Sequence, residues 1–330
     1  MSTSGFRTWL TVGAGCLALA VVVLMAAGAD SKPVPFPVDR SRILRTEGAV
    51  YLVEGRLTIP KGVEVSCQKD IYIRGVGKNA TIVVQGSFQG HGVAAREIIF
   101  ENVTVEPGES CQDLHLDTVI FRKGGGIRSA KGTSVKGKLF LEGVHLTGNT
   151  QLDVAMRGGS IDLAGIDCDA LAKVVAVNAN GRPNKLKVKV RGSVFRKGFE
   201  LREAHDVTVR INSFAGERVT FVNCGTLIFD GNKVTAKRLE IVQQKAGRHK
   251  GTKLQKCDFY CDEISVWAPV QKGKSDTVKV DKCWFKGIEK AKDVHAKFLR
   301  DGNDDPKNGA KFALKKVNKR ALELAGSLER

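Results

Sequence analysis

Five charged residues near the middle of the chain form the most promising set of groups for chemistry. Lys189, Arg191 and Arg210 each lie one residue before or after an apolar residue of a recurring motif, and Asp162 and Asp230 hold similar positions on either side. Because side chains alternate between the two sides of a strand, all five are expected to project outward from neighbouring strands. The set could be an anion-binding surface, or a solvated face whose opposite charges pair with each other.

The same residue types would also suit catalysis on an acidic sugar chain. A lysine or arginine side chain can neutralise the carboxylate of a uronic acid and help to remove the neighbouring proton. Lys189, Arg191 and Arg210 are therefore the candidate catalytic residues if the protein is a lyase. At this level the sequence leaves both binding and lyase catalysis open.

The overall charge points to an anionic partner. The chain has 53 Lys and Arg against 35 Asp and Glu, which gives a net charge of +18. A field of this size favours polyanions such as an acidic polysaccharide or an anionic cell envelope, although a basic surface also serves solubility. Lys245, Arg248 and Lys250 form a second basic set, on a predicted loop, that could hold the same ligand.

The first 29 residues have the features of a targeting element. Arg7 gives a positive start, residues 9–29 are almost free of polar side chains, and Ala27-Gly28-Ala29 is a small-residue cleavage signature. Residues 1–29 are predicted to be a signal peptide, or a membrane anchor acting through residues 9–29, since ~18 apolar residues can span a bilayer. Either interpretation exports the protein to the periplasm, the cell surface or the medium, which argues against a specific nucleic-acid ligand. Residues 30–44 are predicted to be a Pro-rich linker.

A short motif recurs along the body of the chain: an apolar residue, two variable residues, a small polar residue or Cys, one variable residue and a second apolar residue. Copies begin at positions 52, 73, 100, 121, 141, 163, 190, 209, 229, 254 and 280, in steps of 19 to 27 residues. Apolar and polar residues alternate within the copies, so each is predicted to be a strand with one buried side. The sequence therefore predicts an all-β, right-handed parallel β-helix of about 10–11 coils over residues 45–287.

The motif also predicts columns of equivalent residues inside the solenoid, because stacked parallel strands lie about 4.8 Å apart. One column should contain small polar groups that hydrogen-bond along the stack: Ser193, Asn212, Asn232, Cys257 and Cys283. A second should be an aromatic stack: Phe195, Phe214, Phe259 and Phe285. The cysteines are predicted to be buried thiols, with Cys257 and Cys283 close enough to form a disulfide.

This arrangement resembles the pectin-lyase-like superfamily of right-handed parallel β-helices. The resemblance is carried by Leu57-Thr-Ile-Pro-Lys-Gly62 and Ile73-Arg-Gly-Val-Gly-Lys-Asn-Ala-Thr-Ile82, where a Gly-rich turn precedes a Thr-Ile strand as in pectate lyases and polygalacturonases. It covers about residues 45–287. The resemblance implies that a substrate groove lies on the outward side of the strands, while likeness at the level of the fold carries no activity by itself.

Motifs of the enzymes with this fold are only partly present. Gly90-His91-Gly92 matches the His-centred motif of polygalacturonases, but the paired aspartates that those hydrolases place one or two coils earlier are missing, so the match is predicted to be coincidental. Residues 301–305 resemble the start of a calcium-binding loop, but Pro306 stands where the loop needs Gly and Phe312 where it needs Glu. No metal site and no cofactor are therefore predicted.

The character of the sequence changes after residue 287. Apolar residues at positions 288, 291, 294 and 298, and again between 310 and 328, follow helical spacing. Residues 288–330 are predicted to be a basic helical tail, with an amphipathic helix over 308–328 that covers the open end of the solenoid.

Together these observations favour an exported, non-catalytic β-helix that binds or organises an acidic polysaccharide or envelope polymer through Lys189, Arg191 and Arg210, flanked by Asp162 and Asp230. The alternative is a lyase of uronic-acid polymers that uses the same basic strand face. The short steps between motif copies favour binding, because they leave little chain from which to build the walls of a deep cleft.

Overall fold

The alternating motif forms strands that stack into one continuous coil. The computed structural model describes residues 33–130, 135–177, 185–244, 251–270, 276–288, 290–301, 304–305, 307–318 and 320–321. Successive coils pair in parallel from the beginning to the end of the described chain. The result is an all-β parallel solenoid of about ten coils, as predicted. Each complete coil contributes a strand segment to each of three columns, and within a column the segments of successive coils pair. The three columns are named faces A, B and C.

Face A is the face on which the predicted site residues lie. It contains β2 (Arg42–Leu44), β4 (Glu64–Gln68), β6 (Ser87–His91), β11 (Ser160–Ala164), β14 (Lys187–Arg191), β17 (Asp206–Arg210), β20 (Thr226–Asp230), β23 (Lys253–Gln255) and β28 (Ala310–Val317). Three longer strands begin on face A and bend onto face B: β8 (Asp113–Arg128), β9 (Lys138–Leu146) and β26 (Asp276–Phe285).

Faces B and C complete each coil. Face B contains β1 (Val34–Pro35), β12 (Asp167–Cys168), β15 (Val194–Phe195), β18 (Ser213–Phe214), β21 (Lys233–Val234) and β24 (Asp258–Phe259). Face C contains β10 (Gln151–Met156), β13 (Ala172–Ala176), β16 (Phe199–Arg202), β19 (Arg218–Val222), β22 (Arg238–Val242), β25 (Glu263–Trp267) and β27 (Leu299–Arg300). The early strands β3 (Val50–Ile59), β5 (Tyr72–Val84) and β7 (Ile98–Pro107) cross from face B to face C. A short helix, α1 (Ala291–Lys297), precedes β27.

The predicted register is confirmed for the second half of the solenoid and wrong for the first half. One column on face A runs through Leu141, Leu163, Val190, Val209, Phe229, Leu254 and Val280. Phe121, however, pairs with Leu146 on face B, and the partner of Leu141 is Leu116. The copies that begin at 73, 100 and 121 therefore belong to face B, because apolar alternation alone does not tell which of three faces a strand joins.

The predicted column of small polar residues lies inside the bend between faces A and B. The Ser193 main-chain N–H donates to Asn212 Oδ1 at 2.9 Å, and the Asn212 N–H donates to Asn232 Oδ1 at the same distance. Cys257 and Cys283 continue the column on the next two coils, since the strands on either side of them are in register. The side chains of this column are fully buried, so they satisfy main-chain donors that would otherwise lack partners.

The predicted aromatic stack is interrupted in the middle. The rings of Phe195 and Phe214 stack with centroids 5.4 Å apart, and those of Phe259 and Phe285 lie 5.2 Å apart at a larger tilt. Val234 takes the position between the two pairs, in register with Phe214 and Phe259. All of these side chains line a single apolar core that continues along the solenoid.

The end of the chain differs from the predicted helical cap. Residues 310–317, predicted as part of a helix over 308–328, form the strand β28, which pairs in parallel with β26. Ala310, Phe312 and Leu314 follow the period of two of a strand, whereas Ala310, Leu314 and Val317 follow a helical period, so both structures fit the apolar positions. The main-chain groups of β26 would lack partners without this strand, which favours the strand over the helix. Residues 322–330 lie outside the described residues.

The beginning of the described chain joins the solenoid, whereas residues 30–44 were expected to be a linker. β1 and β2 pair with β3 and β4, and Phe36 is only 3% exposed. The Phe36 ring meets Tyr51 and Phe88 edge-on, with centroids 6.3 and 6.0 Å apart, and covers the apolar core at this end. The predicted signal peptide or anchor lies outside the described residues. Among the residues that are described, no helix is long and apolar enough to cross a membrane.

Candidate functional site

The five predicted site residues lie together on the outward side of face A. Lys189 and Arg191 project from β14, where exposed and buried residues alternate strictly. Asp162 lies opposite Lys189 on the preceding coil, and Arg210 lies opposite Arg191 on the following coil. Asp230 lies opposite Arg210 one coil further on. The strand register thus brings the five side chains onto one continuous surface.

Two of the three cations on this surface are engaged by the two acids. Arg191 Nε lies 3.6 Å from Asp162 Oδ1, and Arg210 Nε lies 3.8 Å from Asp230 Oδ2. Both arginine side chains are more than half exposed, so each pair contributes only about 0–1 kcal/mol. Lys189 is exposed and forms no ion pair within the part of the chain that the structure describes. Three cations and two acids leave one net positive charge.

A more strongly positive depression lies further along face A and begins on β23, the coil after that of Asp230. A cavity of about 170 Å³ is lined by Lys253 and Gln255 of β23, Lys279 and Asp281 of β26, and Lys315 of β28. Lys253 lies opposite Lys279, and Gln255 lies opposite Asp281. Counting only described residues, none of the three lysines forms an ion pair. Three cations and one acid leave this cavity, named the lysine pocket, with two net positive charges.

Lys315 reaches the lysine pocket through an irregularity in β28. Val280 lies opposite Leu314 but Asp281 lies opposite Lys316, so Lys315 is an extra residue in the pairing. Such a bulge redirects a side chain, here toward the cavity. The bulge at Lys315 was not predicted from the sequence, because residues 308–328 were expected to form a helix. Lys253 and Lys279 could have been found, since they hold the same motif position as Lys189.

A second charged cluster, on face B, is not evident from the sequence. Glu101 accepts hydrogen bonds from the Tyr72 hydroxyl and from Arg122 Nε, and Lys123 Nζ and Arg74 Nε lie 3.3 and 3.6 Å from it. Burial alone would raise the pKa of Glu101. Its pKa is nevertheless lowered, because burial is outweighed by hydrogen bonds from Tyr72 and Lys123 and by the charges of Lys123 and Arg122. The carboxylate is thus held as an anion, and its contacts tie three successive coils together.

The His-centred motif lies on face A, several coils before the basic surface. His91 is opposite Asp117, which in turn is opposite Glu142. The His91 ring lies 5.0 Å from the His115 ring, and its Nε2 is 3.3 Å from Gln89 Oε1. These carboxylates come from later coils, whereas the polygalacturonase pattern requires earlier ones. Across the described ranges, no group of three or more His, Cys, Asp or Glu side chains is arranged to hold a metal ion.

A partly buried aromatic pair lies on face B, and one of its residues is close in sequence to the lysine pocket. The rings of Tyr260 and Trp284 are 5.0 Å apart, and Lys233 Nζ is 5.8 Å from the centre of the Tyr260 ring. Trp284 follows Asp281 of the pocket by three residues, across the bend between faces A and B. Aromatic rings with this exposure offer an apolar surface on which a sugar ring can pack.

Comparison of the chain with family models, with curated proteins and with solved structures finds no match. The function is therefore inferred from the geometry of the chain itself. The alternative basic set, Lys245, Arg248 and Lys250, lies outside the described residues and has no part in that geometry.

Proposed function

We propose that the protein is an exported, non-catalytic β-helix that binds an acidic polysaccharide along face A. The observation that carries the proposal is the group of outward cations on two adjacent coils. Lys187, Lys189 and Arg191 are all exposed on β14, and Arg210 follows in register on β17. Strands about 4.8 Å apart keep these charges close together, so a polyanion lying across them would meet several at once.

The shape and the chemistry of face A suit an extended polymer. Both arginine side chains are more than half exposed and lie 3.6 and 3.8 Å from Asp162 and Asp230, so each guanidinium keeps donors with which it can bind carboxylates of a ligand. Among the described connections, those from β16 to β17 and from β19 to β20 are only three residues long, which favours an open surface over a deep cleft at these strands. The pair of Tyr260 and Trp284, on face B of later coils, offers a further surface for sugar rings.

The same geometry favours binding over the alternative of lyase catalysis. A catalytic base has to be held within hydrogen-bond reach of the proton that it removes, in a site that orients the substrate. Lys189, Arg191 and Arg210 stand exposed on an open strand face. These surroundings suit reversible contacts with carboxylates better than abstraction of a carbon-bound proton.

We also propose that the solenoid is right-handed and built like those of the pectin-lyase-like superfamily. Connections between parallel strands are right-handed in about 98% of cases. The Gly-rich turn that carries the resemblance has a steric reason, since a Cβ atom on Gly75 would lie 2.0 Å from the main-chain oxygen of Asn102 on the next coil. A crystal structure that shows a left-handed coil would refute this part of the proposal.

Retention on a polygalacturonate column tests the proposed function. The triple change Lys189→Ser, Arg191→Ser and Arg210→Ser should abolish retention at about 0.15 M salt, where exposed charges are screened within about 8 Å. The matched control removes three cations from face C instead, Lys173→Ser, Arg218→Ser and Arg238→Ser, and should keep most of the retention.

Two outcomes would contradict the proposal. Equal weakening of both triple variants would show that the total charge, not face A, holds the polymer. An increase in ultraviolet absorbance from unsaturated sugar ends during incubation with polygalacturonate would show that the protein is a lyase.

A further inference from the structure

We infer that the lysine pocket, formed by Lys253, Lys279 and Lys315, binds a single phosphate monoester group. The pocket begins on β23, two coils after Arg210 of β17, and shares no residue with the cations proposed to bind polysaccharide. It therefore goes beyond the proposed function, and the two proposals can fail separately.

The charge of the pocket matches this ligand. Lys253 and Lys279 lie opposite each other on adjacent strands, and like charges in that position destabilise a sheet unless an anion lies between them. With Lys315 and Asp281, the pocket carries two net positive charges and, among described residues, has no ion pair to offset the lysines. A phosphate monoester carries about −1.5 to −2 near pH 7, which neutralises that charge.

The size of the pocket and its donors point to a compact oxyanion. Its volume of about 170 Å³ is well below the roughly 300–1,000 Å³ of sites that enclose a whole drug-sized ligand. Lysine ammonium groups act as point charges with three donors each, which suits a tetrahedral group approached from several sides. The Gln255 amide supplies a further donor, and Asp281 an acceptor for a hydroxyl that belongs to the same ligand.

The structure of β28 gives an independent reason to regard the pocket as a site. Its strand pairing is interrupted between Leu314 and Lys316, and the extra residue is the one whose side chain lines the cavity. Bulges of this kind re-aim side chains near functional sites. Ala313 of β28 lies opposite Lys279 of β26, so the side chain beside Lys279 on the neighbouring strand is short.

Calorimetric titration of the exported chain at low ionic strength tests the inference, with inorganic phosphate and glucose 6-phosphate as dianionic probes and dimethyl phosphate as a monoanionic diester. We expect saturable binding of both dianions, and binding of the diester at least about tenfold weaker. Affinity should increase between pH 5 and pH 7.5, because the second proton of a phosphate monoester leaves with a pKa of about 6. Vesicles of phosphatidylcholine with and without phosphatidic acid show whether the same group is also bound on a lipid surface.

Four variants make the test specific. Lys279→Ala should lower the affinity for glucose 6-phosphate about tenfold, since it removes a charge-assisted hydrogen bond. Asp281→Asn should raise the affinity, because it removes the negative charge of the pocket. Ala313→Leu adds bulk beside Lys279 and keeps every charge, so it should weaken binding only if the ligand occupies a defined pocket. The triple change of Lys189, Arg191 and Arg210 to Ser is the control and should leave the affinity unchanged.

The inference is overturned if phosphate binding does not saturate, if the diester binds as well as the monoesters, or if Lys279→Ala and the control variant behave alike. Loss of polygalacturonate retention with intact phosphate binding, or the reverse, shows which of the two proposals has failed.

Discussion

The side-chain oxygen of Asn232 accepts two hydrogen bonds from Asn212, one from its main-chain N–H and one from its Nδ2–H, each at 2.9 Å. Asn232 Nδ2 in turn donates to the Val209 carbonyl at 2.9 Å. Both asparagines are fully buried, so each of these groups has exchanged water for a partner on the neighbouring coil. The pair therefore joins two coils at a point where no solvent can replace a lost bond.

Replacing Asn232 by Ala should lower the free energy of unfolding by about 2–4 kcal/mol. The change leaves the main-chain N–H of Asn212 and one of its two Nδ2–H groups without an acceptor, while Nδ2 keeps its bond to the Val190 carbonyl, and each such lost partner costs about 1–3 kcal/mol. Urea unfolding followed by circular dichroism measures the loss. The exposed Gln112→Ala is the control and should change stability by less than about 0.5 kcal/mol. Equal losses in both variants would show that the ladder does not stabilise the solenoid.

Buried thiols should make the solenoid sensitive to alkali. Burial raises the pKa of Cys168 to about 11 and that of Cys111 and Cys224 to about 12. An unfolded thiol ionises near pH 8.5, so above that pH the unfolded chain releases protons that the folded chain retains. Stability is then fully present below about pH 8 and falls as the pH rises toward the folded pKa values, by up to about 1.4 kcal/mol per pH unit for each thiol.

Urea midpoints at pH 7.5 and pH 10 measure this effect. The double variant Cys168→Ala and Cys224→Ala should be less stable at pH 7.5 but should lose less stability on going to pH 10, because two of the responsible groups are gone. An unchanged pH dependence in the double variant would mean that other groups cause it.

Replacing Asp162 and Asp230 by Asn should strengthen retention on polygalacturonate, in contrast to the loss expected from removing the cations. The change frees Arg191 and Arg210 from their ion pairs and adds two units of positive charge to the surface. The salt concentration needed for elution should therefore rise. Asp153→Asn with Glu263→Gln changes the charge by the same amount on face C and should have a smaller effect. A larger effect of the face C pair would place the polymer elsewhere.

Truncation after residue 309 should cause aggregation. It removes β28, which leaves the main-chain groups of β26 unpaired and open to strands of other molecules. Truncation after residue 321 keeps β28 and should leave a monomer with an unchanged melting temperature. Size-exclusion chromatography and light scattering compare the two forms. A monomeric protein after the first truncation would show that β28 does not protect this edge.

The sequence predicted those features that a single coil already contains. The alternation in Lys187-Val-Lys-Val-Arg191 determines which side chains face outward, and the repeat from residue 141 onward gave the correct register of Lys189 with Asp162. Contacts between coils that involve residues outside the repeated motif positions were not predicted. Tyr72 and Arg122 meet at Glu101 only because particular strands are stacked, and no motif marks that meeting.

The C-terminal strand was missed for a different reason. Residues 310–317 carry apolar positions that satisfy both a helix and a strand, and only the unpaired edge of β26 decides between them. The lysine pocket was missed with it, because Lys315 belongs to that strand.

In the described part of the chain, the strands of each coil pair only with those of the coil before it and the coil after it, so the length of the molecule can change in whole coils. Removing residues 212–231 would join Ile211 to Asn232. The main-chain N–H of Ser193 would then donate to Asn232 Oδ1 instead of to Asn212 Oδ1. The strands on either side already share one register, Val190 with Val209 and Val209 with Phe229. A chain of this architecture can therefore be shortened or extended in evolution by duplication or loss of single repeats, with its ends and its outward surfaces preserved.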